Sequence, residues 1–169
     1  MSTYERREIA FNGVRLRFDS DRGYADVVDA LLADIGDKPV PINDFSTAFD
    51  SWDDFEREVQ SHVGPSGFIL FGQFDHGAWI TKTGIDRKLL RIILGNPLIA
   101  ITMIRHDLTA GLFAPVELLV TDEPGGKSAV TYVVPSSLMV TEPNPPLLEA
   151  ALELDAKLQA LVEKATGSA

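Results

Sequence analysis

The sequence predicts an α+β fold in which helices pack on one face of a mostly antiparallel sheet. Two pairs of apolar runs, at residues 9–18 and 115–134, are each joined by a short turn and are typical of hairpins. Two amphipathic helical patterns, at residues 24–35 and 145–165, are wide enough to cover such a sheet. Few segments could serve as parallel crossovers, so antiparallel pairing is expected. The length of 169 residues fits a single domain, 1–169.

The N-terminal pair of runs is separated by Asn12 and Gly13. Both positions of a type I′ turn need positive φ, which asparagine and glycine tolerate best. The alternation on either side predicts a hairpin that places Ile9 opposite Leu16 and leaves one apolar face for the core.

A first helix is predicted where apolar residues recur every three or four positions from Tyr24 to Ile35. We expect Asp19, Ser20 or Asp21 to cap it and Gly36 to end it. Residues 37–50 contain two prolines and no clean period, which indicates a loop or irregular segment.

A second, short helix is predicted after Ser51, which forms a possible capping box with Asp54. Its apolar side includes Trp52 and Phe55, and the Gly64-Pro65 pair ends it.

The middle of the chain predicts two strands and a third helix. Residues 67–75 alternate as a strand, residues 75–84 form a link, and residues 89–94 are a brief apolar run typical of a central strand. Asn96 as cap and Pro97 at the first helical position open a helix to about residue 107, because proline lacks a donor that the first turn leaves unpaired anyway. Its expected buried stripe contains Leu98, Ile101, Ile104 and Leu108.

The last third of the chain predicts a hairpin and a long helix. Residues 115–121 and 128–134 read as strands, joined by a turn that contains Gly125 and Gly126. Asn144 and Pro145 repeat the cap-plus-proline opening of a helix. The seam of this helix comprises Leu147, Ala151, Leu154, Leu158 and Leu161, widened by Leu148, Leu152 and Val162.

Composition excludes several classes of function. There are no cysteines, so disulfides and thiolate chemistry are absent, which fits a reducing cytoplasm. A formal charge of −10 disfavours nucleic acid as a partner. The longest apolar stretch, residues 89–104, is interrupted and too short to span a bilayer, and no signal peptide is evident, so no membrane association and a cytoplasmic location are expected.

The central segment, residues 67–132, resembles the domain of unknown function 302 family, and the resemblance extends to the helix after Asn144. The resemblance is carried by Phe74-Asp75-His76, Leu94-Gly95-Asn96-Pro97, Met103, Ala110-Gly111-Leu112, Pro115 and Tyr132. It implies a small fold similar to one half of TATA-binding protein, with a curved antiparallel sheet, often as a homodimer. It carries over no catalytic residues, and fold alone does not imply DNA binding. The chain departs from the family at its N-terminal hairpin and at about residues 37–66, which look like an insertion.

Four residues are candidates for ligand binding: His76, Asn96, Arg105 and Tyr132. His76 beside Asp75 has the residue types of an oriented general base, although neighbours on an extended chain point to opposite faces. Asn96 begins a helix whose free amides could hold an anion, although capping alone explains it. Arg105 suits the negative end of its helix. If a pocket exists, these residues are expected to converge between the sheet and the helix that begins at Pro97.

No metal site or cofactor is expected, because His62, His76 and His106 are not at ligand spacing and there are no phosphate-loop or nucleophile-elbow motifs. Three functions remain open. The first is a small-molecule-binding or regulatory module that acts as a homodimer. The second is an enzyme of unassigned reaction that uses His76 as general acid or base, and the third is a protein interaction domain that docks a partner on residues 37–65 through Trp52 and Phe55.

Overall fold

The computed structural model describes residues 4–168 and contains one sheet of five antiparallel strands. The strands are β1 (Arg15–Ser20), β2 (Ile69–Asp75), β3 (Leu89–Gly95), β4 (Val116–Glu123) and β5 (Lys127–Val133). They lie in the order β1-β5-β4-β3-β2, so β1 and β2 form the edges. The helices are α1 (Tyr24–Ile35), α2 (Ile42–Ala48), α3 (Trp52–His62), α4 (Gly77–Ile80), α5 (Pro97–Ile104), α6 (Pro135–Met139) and α7 (Pro145–Thr166). Two 3-10 helices span Thr81–Thr83 and Leu108–Phe113. The curved antiparallel sheet with its helices confirms the predicted α+β class.

The core lies between one face of the sheet and the helices α1 and α7. Alternation along the strands sends every second side chain of β3 to this face, where Leu90, Ile92 and Leu94 are buried. The seam predicted for α7 is confirmed, because all five of its residues are buried. Fully burying such an aliphatic side chain stabilises the fold by about 1.5–3 kcal/mol. Leu148 and Leu152, which were predicted to widen the seam, are instead 42% and 51% exposed.

Side-chain caps fix the starts of three helices as predicted. The side chain of Asn96 accepts a hydrogen bond from the amide of Leu98 over 2.8 Å, directly before Pro97 opens α5. Asn144 does the same for α7. Ser51 caps α3 by accepting from the amide of Asp54 over 3.1 Å. Each bond satisfies an amide that the first helical turn leaves without a partner.

The end of α5 differs from the prediction. The helix stops at Ile104, because the carboxylate of Asp107 accepts from the amide of Thr109 over 2.8 Å and starts a 3-10 helix instead. Leu108, predicted to lie in the buried stripe, is therefore 81% exposed. The buried residue of α5 is Met103.

The predicted N-terminal hairpin is wrong. Residues 4–14 contain no helix or strand, and β1 pairs with β5 so that Leu16 lies opposite Tyr132. The amide of Val14 donates to the Ser137 hydroxyl over 2.9 Å, which holds the start of β1 beside α6. An isolated two-stranded hairpin gains little, whereas pairing with an interior strand packs Phe18 on Tyr132, with ring centroids 6.0 Å apart.

Two smaller expectations in the first third of the chain also change. Gly23 occupies the cap position of α1, and no side chain of residues 19–21 caps it. Residues 37–50 contain α2, although a loop was predicted. This segment is attached to the sheet edge by the amide of Val40, which donates to the carbonyl of Leu70 over 2.9 Å.

Candidate functional site

A cavity of about 580 Å³ opens beside the first turn of α5, and we call it the α5 cavity. Its walls come from residues 40–44, from the start of β2, from the end of β3, from α5, from residues 114–116 before and within β4, and from Leu154 of α7. Most of these side chains are apolar. Both the volume and the lining are typical of sites that bind small molecules.

An irregularity in β2 shapes one wall of the α5 cavity. The register against β3 shifts between Leu70 and Gly72, so Phe71 is an extra residue in the strand and its side chain lines the cavity. Gly95, at the end of β3, pairs with Ile69, and an added Cβ there would lie 3.0 Å from Cε2 of Phe71 and 3.1 Å from Cβ of Pro115. Glycine therefore keeps this end of the cavity open.

Asn96 lines the α5 cavity but is already engaged by the fold. It is 8% exposed, and its side-chain amide donates to the carbonyl of Gly67 over 2.9 Å while its oxygen caps α5. Both of its polar groups are thus satisfied without a ligand. The remaining polar side chains of the lining are Asn43 and Asp44 on α2, which are exposed.

The charge of the α5 cavity is negative. Asp44 is the one charged side chain among the described residues that line it. No lysine or arginine of residues 4–168 contributes to the walls, so an anionic ligand would find no countercharge there.

His76 lies at the end of β2, where it precedes α4 and is half-buried. Its Nδ1 faces the indole Nε1 of Trp79 at 3.3 Å, and the two rings meet edge to face. The carboxylate of Asp75 accepts from the amide of Ala78 over 3.0 Å rather than from the imidazole. Asp75 and His76 thus make the local contacts expected where a strand ends and a helix begins.

Arg105 and Tyr132 lie at two other places. Arg105 follows α5, is exposed, and donates to the carbonyl of Ile101 over 3.1 Å. It borders a small, open depression between α5 and α7 together with Glu149 and Glu153. Tyr132 on β5 is 4% exposed, and burial raises its pKa to about 12, with the nearby carboxylate of Asp155 adding to the effect.

Tyr132 also borders a second cavity, of about 380 Å³, which we call the sheet groove, although alternation along β5 points its side chain to the opposite, core face. It lies against the face of β3, β4 and β5 that points away from α1 and α7, and residues 112–113 and α6 form its far wall. The four predicted site residues thus do not share one cavity: Asn96 lines the α5 cavity, Tyr132 the sheet groove and Arg105 the depression, and His76 lines none of the three.

The remaining features considered in the sequence are the aromatic pair on α3, a metal site and a membrane-spanning helix. Trp52 on α3 is 48% exposed and contacts Phe55, with ring centroids 5.6 Å apart. Within the described part of the chain, no group of three or more histidines and carboxylates is arranged to hold a metal ion. None of the described helices has the length and apolar character needed to cross a membrane.

The five-stranded antiparallel sheet and its covering helices define an α+β protein of a class also found among solved structures. The chain belongs to the family described as domain of unknown function DUF302, whose model matches residues 45–165, more than two thirds of the chain. This confirms the resemblance found in the sequence, and the match begins inside residues 37–66, the segment predicted as an insertion.

Among solved structures, the chain is similar to an uncharacterized conserved protein DUF302 from Bacillus stearothermophilus. The TM-score is 0.62 at 18% sequence identity, and the alignment covers 89% of this chain and 97% of that chain. A likeness at this identity supports the fold. A search of curated proteins finds no match.

Proposed function

We propose that the protein is a small-molecule-binding module whose ligand occupies the α5 cavity. The observation that carries this proposal is a volume of about 580 Å³ with mainly apolar walls, built from several separate parts of the fold. Sites for small molecules are typically concave, apolar and furnished with a few polar groups. Asn43 and Asp44 supply those groups at one side of the cavity.

The lining favours a neutral or positively charged ligand with an apolar body. An apolar body gains from leaving water against Phe68, Phe71 and Met103. An ammonium or amide group on that body would reach the side of the cavity where Asp44 lies. An anion would be desolvated there without a countercharge, which costs free energy.

Matched probes test this assignment: 3-phenylpropylamine as the cationic probe and 4-phenylbutyrate as its anionic counterpart. Binding to the native state raises the melting temperature, by an amount equivalent to about 1.4 kcal/mol at ten times the Kd. We expect the amine to stabilise the protein and the carboxylate to have a much smaller effect. The same melting curves should be recorded for Ala100→Leu, which fills the cavity from α5 with a good helix former.

The control is Ala156→Leu, the same change at an exposed position of α7. We expect Ala100→Leu to abolish the shift caused by the amine and Ala156→Leu to keep it. An equal response to both probes would contradict the proposed ligand class. A response that survives in Ala100→Leu would show that the amine binds elsewhere.

We also propose that the module acts as a homodimer. Leu148 and Leu152 support this, because they lie one helical turn apart on α7 and are about half exposed in a helix whose other apolar seam is buried. Light scattering after size exclusion should give twice the 18.5 kDa of the chain. Leu152→Glu should return the mass to that of one chain, whereas Leu112→Glu, at another exposed leucine, should not. A monomeric wild type at micromolar concentration would refute the dimer.

A further inference from the structure

The sheet groove carries an arrangement that the α5 cavity lacks. The strand registers place Arg15 opposite Val133, Thr131 opposite Leu119, and Leu119 opposite Arg91. Successive side chains of a strand alternate between faces, so these five residues share the face that points away from the buried Leu118 and Val130. An arginine on β1 and an arginine on β3 thus flank an apolar strip on β4 and β5.

The strip is enclosed on its other side rather than lying open. Leu112 and Phe113 from the 3-10 helix and Leu138 from α6 face the sheet across the groove, which has a volume of about 380 Å³. Leu119, Val133, Phe113 and Leu138 are all half-buried, and Leu112 at the rim is 78% exposed. An apolar chain or ring in this space would be contacted from both sides.

The two arginines differ in whether they are already neutralised. Arg91 donates to the carboxylate of Glu117, which also lines the groove. Arg15 forms no salt bridge with any carboxylate of residues 4–168. The lining therefore has an excess positive charge, in a chain whose formal charge is −10.

We propose that the sheet groove is a second binding site, for an amphipathic monocarboxylate such as a medium-chain fatty acid. The carboxylate pairs with Arg15, and the apolar body lies along Val133 and Leu119 against Phe113 and Leu138. A guanidinium without a partner matches a carboxylate through two parallel hydrogen bonds, while the apolar walls provide the affinity for the body. This site has the opposite charge preference to the α5 cavity, with which it shares Pro115 and Val116 of its lining.

The test is a titration of ¹⁵N-labelled protein with octanoate, followed by amide chemical shifts, with 1-octanol and octylammonium as probes of matched length. We expect octanoate to bind more tightly than both and to shift the amides of Thr131 and Val133. Arg15→Gln should weaken octanoate binding about threefold to tenfold, a range set by a charge-assisted bond at an exposed site. Arg15→Lys should restore part of the affinity.

The matched control is Arg17→Gln. It removes the same charge from the same strand and face, but Arg17 is paired with Asp19 at 2.8 Å and with Glu123 at 3.2 Å and does not line the groove. The affinity of the Arg17→Gln variant for octanoate should stay within about twofold of that of the wild type, because a change of surface charge alone produces a difference of this size. If Arg17→Gln lost as much affinity for octanoate as Arg15→Gln, the effect would come from general electrostatics, and the proposed site would be wrong.

A second pair of variants tests where octanoate binds without changing any charged residue. Thr131→Leu places extra atoms in the groove and should abolish the octanoate shifts, whereas Thr131→Val, which is close to threonine in size, should keep them. Ala100→Leu in the α5 cavity should have no effect on octanoate. Octanoate binding that survives in Thr131→Leu but is lost in Ala100→Leu would assign the fatty acid to the α5 cavity and refute this proposal.

Discussion

Asp34, in the last turn of α1, binds Lys164, near the end of α7, with 3.2 Å between its Oδ2 and the lysine Nζ. Its other oxygen accepts from the amide of Ser66 over 3.0 Å. The Asp34 side chain is 4% exposed and that of Lys164 is 72% exposed. A carboxylate at the negative end of a helix is unfavourable by itself, so these two partners explain why it is tolerated there.

This asymmetric burial predicts unequal effects of removing the two partners. Asp34→Ala should lower the free energy of unfolding by about 1–3 kcal/mol, because the partly buried amide of Ser66 loses its acceptor. Lys164→Gln should cost less, about 1 kcal/mol or below, because the lysine is mostly exposed and the Asp34 carboxylate keeps its hydrogen bond from the amide of Ser66. Urea unfolding of both variants measures the difference, and equal losses would contradict this account.

The glycines of the two predicted turns should respond differently to alanine. Gly126, between β4 and β5, has φ of +74°, so Gly126→Ala should cost about 1–2 kcal/mol. Gly13 has no positive φ, and an added Cβ would lie 3.6 Å from Val133 and 3.7 Å from Leu138. Gly13→Ala should therefore be neutral or stabilise by up to about 1 kcal/mol.

Thermal unfolding of the two alanine variants checks this contrast directly. If an Asn12-Gly13 hairpin formed, Gly13→Ala would destabilise as much as Gly126→Ala does. A large loss of stability in Gly13→Ala would therefore support the hairpin that the sequence pattern predicts.

Signals that act over a few residues made much of the fold predictable. The caps at Ser51, Asn96 and Asn144 bond amides two or three residues later, so the sequence alone reveals where α3, α5 and α7 begin. The pairing of β1 with β5 depends on contacts such as the one between Val14 and Ser137, which are 123 residues apart. No local pattern contains that information, and the Asn-Gly signal consequently predicted the wrong partner.

The candidate site was less predictable than the fold. Asn96 could be identified because a cap-plus-proline motif marks it, and it does line the α5 cavity. The wall formed by Phe71 depends on a register shift in β2, and the attachment of Val40 to Leu70 depends on a tertiary hydrogen bond. Neither leaves a periodic trace in the sequence, so spacing arguments could not find the cavity itself.

Glu123, at the end of β4, should contribute to stability above acidic pH. The hydroxyl of Thr121, and after it Arg17, lower the pKa of its carboxyl below the usual 4.5. A carboxyl whose pKa is lowered by folding stabilises the native state above the pKa it has in the unfolded chain, and this stability is lost as the pH falls through the folded pKa. Glu123→Gln should therefore lower the urea midpoint at neutral pH and reduce its fall below about pH 4.5.

The control for this measurement is Glu56→Gln, at an exposed position of α3. It should leave the pH dependence of the urea midpoint like that of the wild type. If Glu123→Gln also kept the full acid-induced loss, Thr121 and Arg17 would not be the source of that loss.

Tyr132 should make the protein sensitive to alkaline pH. Burial raises its pKa to about 12, whereas a tyrosine in an unfolded chain titrates near 10. Below about pH 10 the phenol is neutral in both states, so it contributes no pH dependence; above that pH only the unfolded chain loses the proton, and stability falls until the folded pKa is reached. Two pKa units correspond to a loss of about 3 kcal/mol. Urea midpoints from about pH 9 to about pH 11 should therefore fall less steeply for Tyr132→Phe than for the wild type. The control is Tyr4→Phe, at a tyrosine that is 87% exposed, and its midpoints should follow those of the wild type. Parallel curves for Tyr132→Phe and the wild type would mean that the phenol ionises equally well in the folded protein.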